Sequence, residues 1–340
     1  MESKILLVTG ANGQLATEYI MSNPLKGWEY SFYTKEELDI TDQKKIDNFF
    51  ESNHFDGILN LAAYTNVEKA EKEETEQCYN VNAIGPKNLA IIANRYNIPI
   101  IHISTDYVFD GKKTEPYNEK DLEQPINHYG RTKFIGEKFI QEHCDWYFIL
   151  RVSWVYSNNT KNFFTTMMNL AQERSEVNVV QDQVGSPTTT KEICRAIDCI
   201  LQNLEKQNTG TYHFSGNGQT TWKDFAQEIF KQARLDIKVN GTLSTAWKSN
   251  VTRPLYTYMN SRKFTETFGY QPSHWKNALK EILAERKIIP IKVGDTVISD
   301  HEEHVIVSTD WLKRTAKISP LENMKQIIEL PFDILIPHGK

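Results

Sequence analysis

The run Y-G-R-T-K at 129–133 sets a phenol and an amine four residues apart, on one face if the segment is helical. An ammonium beside Tyr129 would favour its phenolate and lower a pKa that is ordinarily near ~10. A phenol tuned in this way can give or take a proton near neutral pH, and Lys133 could also hold a ribose. Two further stretches supply what such a pair would need. S-T-D-Y-V-F-D-G at 104–111 offers the hydroxyls of Ser104 and Thr105 to a carbonyl oxygen. T-G-A-N-G-Q-L-A at 9–16 is a glycine loop in which Gly10 permits a tight turn and Gly13 lets the backbone approach a pyrophosphate.

These residues are useful only if strands and helices bring them together, and the pattern along the chain does so. Apolar, β-rich runs at 4–9, 28–33, 57–62, 98–104 and 146–152 read as strands. Between them lie helical patterns at 14–21, 39–51 (with Thr41 or Asp42 as N-cap), 76–96 and 130–143. Such alternation predicts right-handed βαβ units, so the fold class is α/β: a Rossmann-type, doubly wound parallel sheet over residues 1–153. Ligands of these sheets bind beyond the C-terminal strand ends, where all three chemical motifs begin. From Trp154 to 285 the pattern is less regular and reads as a smaller C-terminal substrate domain. Its expected helices lie at 163–173, 191–204, 222–233 and 275–285, and segments near 188–216 return to the main sheet. Residues 286–340 read as an extra β-rich tail, with runs I-I-P-I-K-V and H-V-I-V-S.

Composition narrows the class. The 340 residues carry a net charge of −5 with no basic block, which argues against nucleic acid or an anionic membrane as partner. Cys78, Cys144, Cys194 and Cys199 form no C-x-x-C pair and read as thiols of a reducing compartment. The start M-E-S-K runs straight into a strand, and no apolar run approaches the ~20 residues of a membrane helix. The expected location is cytoplasmic. In T-K-E-E-L at 34–38, Lys35 would attract a 2′-phosphate, whereas Glu36 or Glu37 would accept from a 2′-hydroxyl. The reading favours NADPH, with NADH as the alternative.

Glycine loop, hydroxyl pair and Tyr-x-x-x-Lys in this order resemble the extended short-chain dehydrogenase/reductases. Within these the chain is similar to the dTDP-4-dehydrorhamnose reductase family. The matching stretches include G-A-N-G-Q-L (10–15), L-D-I-T-D (38–42), L-N-L-A-A-Y-T-N-V-E-K-A-E (59–71), V-N-A (81–83), L-R-V-S-W-V-Y (150–156), D-Q-V-G-S-P-T (182–188), T-T-W (220–222) and R-P (253–254). They span about residues 3–285. The resemblance implies reduction of the C4 ketone of dTDP-4-dehydro-L-rhamnose in nucleotide-sugar and polysaccharide biosynthesis. It implies that Asn12, Gly13 and Gln14 meet the cofactor pyrophosphate with Gly10 and Leu15 also at the cofactor, that Asp39 and Ile40 lie beside adenine, and that Ala62, Ala63 and Tyr64 line the cofactor. Thr105, Tyr129 and Lys133 would form the catalytic set. Thr105, Asp106, Tyr107 and Trp154 would touch the sugar nucleotide, and Arg253, a fixed cationic fork, its diphosphate. A homodimer is implied too, with an interfacial Mg²⁺ for which this sequence shows no ligand set.

The chain departs from the family pattern in four places. Ala16 stands where a glycine is usual; S-N-N-T-K at 157–161 replaces a glycine-containing loop; R-P-L-Y-T-Y-M-N at 253–260 is bulkier than expected; and the tail lies beyond the family's usual end. D-H-E-E-H at 300–304 reads as a solvated polar turn rather than a metal site, since His301 and His304 have no further ligands nearby. Two other readings fit parts of the pattern: a reductase or epimerase of a UDP- or GDP-linked ketosugar, and a non-catalytic NAD(P)-binding regulatory subunit.

Overall fold

A computed structural model describes residues 3–22, 25–246, 249–285, 296–299, 302–310, 315–320, 328–331 and 336–337. The first half alternates as the apolar periodicity requires: β1 (Lys4–Thr9), α1 (Gln14–Met21), β2 (Trp28–Tyr33), α2 (Gln43–Ser52), β3 (Gly57–Asn60), α3 (Val67–Lys72), α4 (Thr75–Tyr79), α5 (Gly85–Arg95), β4 (Ile100–Thr105), α6 (His128–His143) and β5 (Tyr147–Val152). The five strands and the later strand Gly210–His213 form one parallel sheet, in the order 210–213, β5, β4, β3, β1, β2. The register places Thr9, Asn60 and His102 in one row across β1, β3 and β4. One face packs α2, α5 and α6 through residues such as Ile46, Leu89 and Ile140; the other packs α1 and the helix Thr190–Gln202 through Tyr19, Ile193 and Ile197.

Two expected helices are corrected. The helix expected from Asp39 starts at Gln43, because the Asp39 carboxylate accepts from the amide and hydroxyl of Thr41 (2.9 and 2.7 Å) and closes a turn. Asp42 then caps, accepting from Lys45 N. The helix expected over 76–96 is three pieces: α4, a wide π turn at Asn80–Ile84, and α5. The π turn lets Asn82 hold the backbone of Tyr64 from both sides, accepting from its amide at 2.9 Å and donating to its carbonyl at 3.0 Å.

A second core gathers helices Phe163–Glu173, Trp222–Gln232 and Trp275–Glu285 around Phe164, Phe225, Ile229 and Leu279, beside the parallel strand pair 176–180 and 238–242. In the tail, strands at 296–299, 302–310, 315–320, 328–331 and 336–337 make an antiparallel sheet. The polar turn expected at 300–304 is corrected there. Glu302–Asp310 is a strand and His304 is buried, because β pairing with Thr296–Ser299 and Thr315–Pro320 satisfies this backbone. Residues 300–301 and the run 288–293 lie outside the described residues.

Candidate active site

Three loops leave the sheet on the same edge. After β1, Gly10 adopts φ +73°, and a Cβ there would fall 2.7 Å from the amide nitrogen of Ala62. Only glycine lets these two loops touch. Gly13 caps α1 without any side-chain hydrogen bond, which leaves the first helical amides to an anion. Of the residues expected at the cofactor, Gly10, Asn12, Gly13, Lys35, Asp39, Ile40, Ala62, Ala63 and Tyr64 line one cavity of about 280 Å³, joined by Thr34, Glu36, Gln77 and Val81. Burial would raise the Asp39 carboxyl, but hydrogen bonds from Thr41 and the charges of Lys35 and Lys45 hold it below the usual range. The side chains of two expected cofactor residues, Leu15 and Gln14, point away from this cavity, while their backbone amides open α1 at its uncapped end. The Leu15 side chain belongs to the core, since its position on α1 faces the sheet. Gln14 accepts from Asn162 at 3.2 Å and so bridges to the second half of the chain.

The expected catalytic set comes from β4 and α6. Asn127 caps α6, accepting from Gly130 N at 2.8 Å. A Cβ on Gly130 would meet Tyr107 O at 2.2 Å, and one on Gly136 would meet Asn82 O at 2.2 Å, so α6 sits closer to the 104–111 segment and the π turn than a side chain would allow. Tyr129 thereby comes beside Thr105, and its ring meets Tyr107 edge-on at 5.8 Å. Burial pushes the Tyr129 phenol well up, and Thr105 works in the opposite direction. Thr105 also donates to Asp106 Oδ1 at 3.1 Å. Asp106 is buried, its Oδ2 has no hydrogen-bond partner among the described residues, and burial raises its pKa to about 7.

Lys133 finds its hydrogen-bond partners on β4. Its Nζ donates to Ile103 O at 2.6 Å and lies 3.1 Å from His102 Nε2. The side chain is 1% exposed, and burial lowers its pKa to about 8. Beneath it runs a buried polar row that the sequence reading missed. Thr9 Oγ1 donates to Asn60 Oδ1 (2.7 Å), and Asn60 Nδ2 meets His102 Nδ1 (2.9 Å). A histidine inside an apolar strand reads from sequence as core, and only the strand register reveals the row. A second buried cluster ties α6 to the sheet. Arg151 binds Glu137 through two nitrogens (3.0 and 2.6 Å) and Glu123 at 2.6 Å, while Ser104 Oγ donates to Glu137. Ser104, offered by the sequence as a substrate hydroxyl, is therefore part of this cluster.

The other wall of the cleft holds a larger cavity of about 840 Å³, a size suited to a ligand much larger than water. Tyr107 and Arg253 line it, together with Phe163, Arg174, Gln183 and Trp222. Arg253 is held by Glu68 on α3 (2.8 Å) and by Ser249 (2.9 Å). Trp154 has φ +45° and stacks on Trp222 at 3.6 Å between ring centroids, with Gly185 leaving room for the indole. Its expected open sugar-facing surface is thus partly covered by Trp222.

Comparison with known proteins agrees with this geometry. Residues 3–288 match the RmlD substrate binding domain family. The spore coat polysaccharide biosynthesis protein SpsK of Bacillus subtilis is 37% identical, covering 83% of this chain and 97% of that protein. A dTDP-4-dehydrorhamnose reductase from Clostridium acetobutylicum superposes with a TM-score of 0.80 at 37% identity, over 84% of this chain and all of its own. A dTDP-4-dehydrorhamnose reductase from Bacillus anthracis, solved in complex with NADP, also gives 0.80, at 33% identity over 83% of this chain and 99% of its own.

Proposed function

The chain belongs to the dTDP-4-dehydrorhamnose reductase family, and from that premise we infer that it reduces the C4 ketone of dTDP-4-dehydro-L-rhamnose with NADPH, yielding dTDP-L-rhamnose. The observation that carries this reading is the convergence of Thr105, at the end of β4, and Tyr129 beside Tyr107, which lines the larger cavity. The cofactor, when bound, supplies the hydride that forms the new C–H bond at C4. The glycine cradle suits its pyrophosphate: Gly10 admits no Cβ, and the first amides of α1 are uncapped.

The chain's own residues do the rest. As the C=O π pair moves onto oxygen, Tyr129 gives that oxygen its phenolic proton. Thr105 hydrogen-bonds the developing alkoxide, acting in a buried site where such a bond is strong. Lys133 holds the nicotinamide ribose and favours the phenolate that Tyr129 becomes. Asp106, with its unpartnered Oδ2, is placed to accept from a sugar hydroxyl. Tyr107 and Trp154 face the sugar nucleotide, and Arg253 exchanges Glu68 for the substrate diphosphate. Lys35 meets the 2′-phosphate of NADPH.

The test is oxidation of NADPH by purified protein given dTDP-4-dehydro-L-rhamnose, with the product identified. Formation of dTDP-L-rhamnose establishes the reaction. Cofactor binding without turnover overturns it. A homodimer in the cytoplasm, as in the resemblance, belongs to the same proposal. Among the described residues no helix is long and apolar enough to cross a membrane.

A further inference from the structure

The buried row under Lys133 has a direction that hydrogen bonding imposes. The backbone amide of Ala62 donates to Asn60 Oδ1 at 3.2 Å, and Thr9 Oγ1 donates to the same oxygen at 2.7 Å. A backbone N–H can only donate, so the Asn60 amide cannot flip. Its Nδ2 must then donate to His102 Nδ1 across 2.9 Å. A neutral imidazole that accepts at Nδ1 carries its proton at Nε2. That Nε2–H points at Lys133 Nζ, 3.1 Å away. An ammonium there would set N–H against N–H, whereas a neutral amine offers a lone pair and still donates to Ile103 O at 2.6 Å.

We propose that His102 is a positioning residue for this reductase: its Nε2–H, oriented by Asn60 and Thr9, opposes the ammonium form of Lys133, the form that acts beside Tyr129, and so sets the proton equilibrium of that amine. His102, Asn60 and Lys133 are each no more than 1% exposed, so water does not dilute this preference. The other groups around Lys133 do not decide the matter. Glu137, one turn along α6, favours the ammonium but is already bound by Arg151. Cys78 on α4 also favours it, and its thiol is held protonated by burial. Tyr129 on the same helix is likewise held protonated by burial, and Asp106 on the far side acts on Tyr129. Burial of both partners keeps His102 neutral and lowers Lys133 to about 8, in line with the hydrogen-bond argument. His102 itself is kept from charging by the same ammonium that it opposes.

The inference rests on the role of Lys133 given above, and the test separates the two. The pH profile of kcat/KM with NADPH is measured for the wild type and for Lys133→Met, His102→Gln and Asn60→Asp. The wild type should lose activity on the alkaline side as Lys133 loses its proton. In His102→Gln the amide oxygen can turn to Nζ and accept from the ammonium. In Asn60→Asp a carboxylate accepts from His102 Nδ1–H, which leaves the Nε2 lone pair free for the ammonium. Both variants should move the alkaline limb up by about one pH unit, a tenfold change in the proton-binding constant. Damage to the fold lowers activity without moving the limb upward, and the Asn60→Asp profile stands if His102→Gln fails to fold. Unmoved limbs in folded variants, with Lys133→Met inactive, overturn the proposal. An active Lys133→Met overturns the role of Lys133 itself.

Discussion

The two walls of the cleft are built by different means. The wall proposed for the cofactor is made of backbone: Gly10, Gly13 and the 62–64 loop come from adjacent turns of one sheet, within a few dozen residues of each other. The substrate wall is made of side chains drawn from distant segments, with Tyr107, Trp222 and Arg253 meeting across more than a hundred positions. Between them the catalytic strand and helix rest on buried polar rows that face neither cavity. A wall of backbone tolerates many side chains but few glycine replacements. A wall of side chains retunes one residue at a time. The buried floor tolerates least, because every group in it is the partner of another.

The sharpest break in this comparison would come at Tyr129, the proposed proton donor. Tyr129→Phe should lower kcat by roughly 10²–10⁴ and leave NADPH binding and the circular dichroism spectrum intact; full turnover would remove the assignment. The floor should be next. Arg151→Met leaves Glu137 buried and uncompensated, and should destabilise the fold by about 3–5 kcal/mol in urea unfolding. If stability is unchanged, the cluster is not what ties α6 to the sheet. On the substrate wall, Arg253→Ala should raise KM for the sugar nucleotide about tenfold, the scale of a charge-assisted hydrogen bond, while KM for NADPH stays put. A change in both constants would mean the walls are not independent. Smallest is Lys35→Ala, which should cut the preference for NADPH over NADH a few-fold, less at high salt because this charge faces solvent. A preference that is indifferent to salt would move the 2′-phosphate contact to another residue.

The alternation of strands and helices, the glycine loop and the Tyr129/Lys133 spacing were all legible in the sequence, because each rests on short-range geometry: period, turn and helical face. Helix boundaries slipped where side chains overrode the pattern, as when Asp39 bound Thr41 and delayed α2. The core-facing side chain of Leu15 was not legible, because a glycine-loop motif does not say which face of α1 each side chain takes. The partners of Lys133 on β4 were not legible either, since spacing on a helix predicts a shared face but not what lies opposite.

What the residues determined by themselves was therefore the fold class and the inventory of reacting groups. Only the tertiary structure decided how those groups are set. His102 becomes part of the site because parallel pairing aligns it with Asn60 and Thr9, although 42 positions separate it from Asn60 and 51 separate Asn60 from Thr9. Trp154 is covered because Trp222 arrives from a helix of the second core. Strand register and interhelical packing depend on contacts between segments far apart in the chain, and a linear pattern carries no record of which segments will touch.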